Sequence, residues 1–203
     1  MVTKELEGLK DYLKTLEKQF LADLLVDPFA PPEKCDLPVR AFCVLSHAAF
    51  EEYFELVAVK IMDLSVETWK TKGKVTRPLI LLIKLCPDSF KINYENDDDK
   101  LKVFDYVKDY LDKTKQWYSK EVKDNHGISL KYLKKIYYPL FLPILDDPNF
   151  RNSLAQLAIL RGDFAHKKMA RKIPNPKVAR QFVSDIITFS ESLKTSSNDL
   201  FIT

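Results

Sequence analysis

Apolar residues recur near the amino terminus at Leu6, Leu9, Leu13, Leu16, Phe20 and Leu24, with glutamates and lysines between them. That three-and-four spacing predicts an amphipathic helix over about residues 2–25. The run DPFAPPEKCDLP should break it, because proline lacks an amide donor and stiffens the backbone. A second helix is expected from about Val39 to Lys70, apolar at Phe42, Cys43, Phe50, Tyr53, Phe54, Val57 and Ile61. The segment TRPLILLIKLCPD has no diagnostic period; helix is the reading taken, with strand the alternative.

NYENDDDK reads as a solvated loop, and residues about 100–121 as an amphipathic helix through Val103, Tyr106, Val107, Tyr110 and Trp117. KDNHGIS is a turn, with Ser129 placed to cap the segment LKYLKKIYYPLFLPIL, where Pro139 and Pro143 limit any helix. Asp147 and Pro148 open a helix over about 148–170, proline being favoured in a first turn. KIPNP ends it, and Asn175 caps a last helix over about 176–195. No repeat is present. The pattern is all-α, an antiparallel helical bundle with additional helices. Residues 1–36 form an amino-terminal helix and proline-rich connector, and residues 37–203 the main helical body of one compact domain.

Composition removes several function classes. Only four glycines occur, Gly8, Gly73, Gly127 and Gly162, none close to another, so no glycine-rich phosphate loop can form. Three scattered cysteines, Cys35, Cys43 and Cys86, lack the spacing of a zinc site or disulfide framework. His47, His126 and His166 do not pair at metal-ligand spacing, so neither metal nor cofactor is expected. The charged amino terminus and the lack of a long apolar run point to a cytoplasmic protein with no membrane partner. Net charge is +3, but unevenly spread. Seven acids lie between Glu95 and Asp112, and seven lysines and arginines between Arg161 and Arg180.

The basic block surrounds the stretch LAILRGDFAHKK. Helical spacing puts Phe150, Leu154, Leu157, Ala158, Arg161 and Ala165 on one stripe, so Arg161 is expected to face inward and to need an anion. Gly162 within a helix costs about 1 kcal/mol relative to alanine, which suggests a close approach to the backbone there. His166 leans over Gly162 and Asp163, so Asp163 can orient the imidazole. Arginine suits phosphate and histidine suits proton transfer near neutral pH. On the earlier helix, Glu51 is a candidate to hold Arg161 or His166, and His47 lies one turn before it. Lys167, Lys168, Arg171 and Lys172 are candidates to contact an RNA backbone. The plainer readings are a helix-end ion pair that fixes packing, and a solvated cationic helix end.

RGDFAH, an arginine and a histidine separated by four residues, resembles the motif of HEPN-superfamily ribonucleases. VRAFCVLSHAAFEEYFE, NHGISLKYLKKIYYPL and DDPNFRNSLAQLAILRGDFAHKK are similar, in that order, to segments of the RiboL-PSP group, over about residues 37–190. The resemblance implies a helical domain that dimerises, with Arg161 and His166 of two chains forming one composite, metal-independent site. It implies cleavage of single-stranded RNA to a 2′,3′-cyclic phosphate, a role as toxin or antiviral defence effector, and a neutralising or sensor protein as partner. Family nucleases commonly carry a polar residue just after the arginine, where this chain has Gly162. A catalytically inactive module that binds RNA or a protein is the alternative.

Overall fold

The computed structural model describes residues 2–27, 31–88, 102–144, 147–166 and 173–201; the side chains of Pro32, Ala165 and His166 lie outside that description. Helices α1 (Thr3–Phe20) and α2 (Ala22–Val26) precede the long α3 (Pro32–Lys72). Then come α4 (Arg77–Leu85), α5 (Val103–Lys123), α6 (Leu130–Tyr137) with a 3-10 turn at Tyr138–Leu140, α7 (Pro148–His166) and α8 (Pro176–Asp199). No strand occurs among the described residues, so the all-α reading holds and TRPLILLIKLCPD is helical.

α3 is the axis. Its residues Val39, Phe42, Cys43, Phe50, Phe54, Val57 and Ile61 are buried, and α1, α5, α7 and α8 all pack on it. It starts seven residues before the expected Val39, because Pro32 sits in its first turn, where a missing amide donor costs nothing. Pro38 lies inside it and removes only one ladder bond. α1 presses Leu6, Leu9, Leu13 and Leu16 against α3 and also meets α8. Gly73 ends α3 in the left-handed conformation, with φ 64°.

Helix starts follow side-chain chemistry. Asp147 Oδ1 accepts from Phe150 N at 2.7 Å and Asn175 Oδ1 from Lys177 N at 2.9 Å, opening α7 and α8. Ser129 occupies the cap position of α6 but makes no side-chain capping bond. Buried tyrosines tie the bundle together: Tyr137 Oη donates to Phe54 O at 2.9 Å and Tyr118 Oη to Ile136 O at 2.5 Å. Between α7 and α8, Phe150 stacks on Phe189 with centroids 3.9 Å apart, and Ser153 Oγ donates to Asp185 Oδ2 at 2.6 Å. These contacts fix the register of the motif helix. No helix among the described residues is long and apolar enough to cross a membrane.

Candidate functional site

α7 is held on the core by Phe150, Ser153, Leu154, Leu157 and Leu160, all buried. Arg161 follows Leu157 by four residues and Phe164 follows it by seven, which puts them about 40° and 20° from it around the helix. Their register therefore points toward the core, yet both are exposed, Phe164 by 51%. In this last turn the covered side of α7 lies toward Asp163, which is buried. The expectation that Arg161 is buried is thus corrected: at this end of α7 the buried side chain is Asp163, about 160° around the helix from it. An exposed position removes most of the cost of desolvating its charge.

Among the described residues, nothing outside the helix's own backbone lies within 4 Å of a Cβ built on Gly162. Asp163 is buried at 7% exposure and sits about 160° from Arg161 around the helix. His166 ends α7, and its side chain, like Lys167, Lys168, Arg171 and Lys172, lies outside the described residues.

Across from Arg161, α3 carries His47 and Glu51. His47 is 3% exposed, its Nδ1 3.7 Å from Glu51 Oε2. Burial holds its pKa below the usual histidine value; Glu51 opposes that effect and the Arg161 charge adds to it. His47 is therefore neutral at physiological pH, and the charge of Arg161 reaches it from α7. Glu51 does not pair with Arg161. Its Oε1 accepts the backbone N–H of Gly127, its Oε2 faces His47, and α3 is thereby stapled to the turn between α5 and α6. Gly127 has φ 110°, which only glycine adopts readily. In the same turn Asn125 is 1% exposed, and its amide nitrogen and oxygen have no hydrogen-bond partner.

A second feature escaped the sequence reading. Lys131, Lys134, Lys135, Tyr138, Leu142, Pro143 and Ile144 line a cleft of about 500 Å³. Tyr137 is core, whereas its neighbour Tyr138 is 65% exposed. Lys135 pairs with Glu121 at 3.0 Å. The pair Lys134 and Lys135 between Tyr132 and Tyr138 was the available signal. No cluster of three metal-ligating side chains occurs among the described residues.

A family model described as RiboL-PSP-HEPN matches residues 3–199. It takes in α1, which the similarity read from the sequence leaves outside. No curated protein and no solved structure matches the chain.

Proposed function

The chain belongs to the RiboL-PSP-HEPN family, and from that premise we propose that it is an endoribonuclease cutting single-stranded RNA without a metal ion. One observation carries the reading: Arg161 stands exposed on the helix that ends at His166. An exposed guanidinium can grip two phosphate oxygens and offset the charge that develops at phosphorus.

RNA supplies its own nucleophile. A base takes the 2′-OH proton, the 2′-oxygen bonds to phosphorus, and the bond from phosphorus to the 5′-oxygen breaks. That oxygen leaves with a proton from an acid, and a 2′,3′-cyclic phosphate remains. His166 suits either proton transfer, but one imidazole cannot serve at both oxygens at once. Two chains about a two-fold axis supply two Arg161–His166 pairs to one cleft. His47, buried and neutral, acts with Glu51 as support for the α3 wall facing Arg161. Lys167, Lys168, Arg171 and Lys172 hold the RNA backbone, and the exposed Lys131, Lys134 and Tyr138 add charge and a stacking surface. A toxin or defence effector, kept in check by a protein partner, is the biological setting this activity fits.

A second reading is favoured by a specific feature. Asp163 is buried on the far side of α7 from Arg161, and Gly162 has no side chain, so neither of the two residues that follow Arg161 offers it an exposed polar group. In that case the domain binds RNA or a protein without cutting. The deciding experiment is a digest of labelled RNA in excess chelator with wild type and His166→Ala, beside a native mass measurement. The proposal expects cyclic-phosphate ends from a dimeric wild type and none from the variant. A requirement for divalent ions, or a strict monomer that still cuts, overturns the scheme.

A further inference from the structure

Lys131, Lys134, Lys135 and Tyr138 follow one another at i, i+3, i+4 and i+7, so α6 and its 3-10 turn present them as one stripe. All four are exposed, while Leu133, Ile136 and Tyr137 on the other side are buried. A stripe of this kind is usually open to solvent. Here the chain folds back beside it, and Leu142, Pro143 and Ile144 form the second wall of the cleft of about 500 Å³.

The reversal is built at Phe141. Its φ of 60° puts a bulky residue in the left-handed region, at a helix end where glycine is usual. Phe141 N donates to Tyr138 O at 3.0 Å and Leu142 N to Tyr137 O at 3.2 Å, which closes the turn. Arg77 of α4 lies over the Phe141 ring, 5.7 Å from its centroid, and α4 packs on the same turn. Leu142 is buried and anchors the returning chain in the core. The fold itself therefore holds the cleft open, so shaping it costs a ligand little.

The lining has two kinds of chemistry. A tyrosine ring and three apolar side chains make the walls, lysines make the rim, and no acid lines it among the described residues. Within the same set Lys135 is paired with Glu121 at 3.0 Å, whereas Lys131 and Lys134 are in no ion pair. A planar ring can stack on Tyr138, and a phosphate can meet a lysine ammonium. An aliphatic anion leaves the ring face unused, and an uncharged aromatic leaves the lysines unused. Arg161 does not line the cleft, but α6 packs on α7, which carries it.

Given the proposal that the chain engages single-stranded RNA, on which this rests, we infer that the cleft holds one unstacked nucleotide of the strand, outside the Arg161 site. Its base lies between the Tyr138 ring and the Leu142–Ile144 wall, and its phosphates meet Lys131 and Lys134.

The test compares two ligands on the full chain carrying His166→Ala, which should leave the strand whole. One is a short mixed-sequence RNA, the other an abasic ribose–phosphate strand of the same length. Tyr138→Ala should weaken binding of the RNA by about tenfold and leave the abasic strand unchanged, while Tyr138→Phe keeps the ring and most of the affinity. Lys131→Gln with Lys134→Gln should weaken both strands alike. Equal loss of both strands with Tyr138→Ala, or loss of neither, overturns the assignment and gives the cleft to a protein partner instead. Tighter binding of adenosine 5′-monophosphate than of the RNA marks a free nucleotide as the occupant and also overturns it. Cleavage by wild type is followed in parallel. A chain that does not cut but passes these tests loses the ribonuclease reading alone; one that cuts but fails them loses this subsite alone; and one that binds no RNA loses both.

Discussion

Glu51 joins two distant parts of the chain: its carboxylate accepts the Gly127 amide with one oxygen and faces His47 Nδ1, 3.7 Å away, with the other. Removing it leaves a part-buried backbone donor unpaired in a turn that already depends on glycine's positive φ. Glu51→Ala should therefore cost about 1–3 kcal/mol in urea unfolding, and Glu51→Gln, which keeps an acceptor, clearly less. Equal losses would show that the charge facing His47, rather than the Gly127 bond, is what matters.

Arg161 makes the opposite case. It is exposed, so Arg161→Ala should change stability by no more than about 0.5 kcal/mol. Loss of a phosphate-gripping group should nevertheless lower RNA cleavage by about a hundredfold or more. Arg161→Lys keeps the charge without the planar fork and should recover only part of the rate. A large drop in melting temperature for Arg161→Ala would instead mark the residue as structural.

Much of this architecture was legible in the chain. The spacing of Leu6, Leu9, Leu13 and Leu16, and of Phe50, Phe54 and Val57, repeats at the helix period, so the helices and their buried faces could be read directly. Asp147 and Asn175 announced the starts of α7 and α8 by their capping chemistry. Two things were not legible. Arg161 and Phe164 lie on the correct stripe, but a one-dimensional pattern does not say that the covered side of α7 turns toward Asp163 at its end. The bond from Gly127 to Glu51 spans 76 positions, and nothing local to either residue names the other. Tyr137 and Tyr138 are adjacent, one core and one exposed, because the 3-10 turn at Tyr138–Leu140 changes the period just there.

His47 should make stability depend on pH. Its pKa is lowered by burial from the ordinary 6.5, so the unfolded chain takes up a proton that the folded chain refuses. The sign follows: stability is intact above about pH 6.5 and declines as pH falls toward the lowered folded value. The steepest loss is about 1.4 kcal/mol per pH unit for one proton. Chemical unfolding from pH 7 to pH 5 should show this slope in wild type and a flatter one in His47→Gln. Identical slopes would mean that His47 is protonated within the fold.

The lysine-rich cleft beside Tyr138 predicts a salt signature. Replacing Lys131 and Lys134 with glutamate should weaken single-stranded RNA binding and reduce the slope of log affinity against log salt by roughly 0.7 for each phosphate that is no longer neutralised. Tyr138→Ala should weaken binding without changing that slope, because stacking releases no counterions. If the lysine changes leave both affinity and slope untouched, RNA runs only along the Arg161 end of the bundle.

Gly162 separates cutting from mere binding. It lies inside α7 with open space where a side chain would be, so Gly162→Ala should raise stability by about 1 kcal/mol through helix propensity alone. An inactive binding module has no use for that space, and its RNA affinity should then be unchanged. A catalytic cleft that brings the ribose or scissile phosphate against the α7 backbone needs the space, and a methyl group there displaces the reacting atoms. For the ribonuclease reading we therefore expect a more stable protein whose single-turnover cleavage is roughly ten- to a hundredfold slower. Stability and rate rising together would remove the backbone from the substrate's path and leave Arg161 and His166 to act from side chains alone.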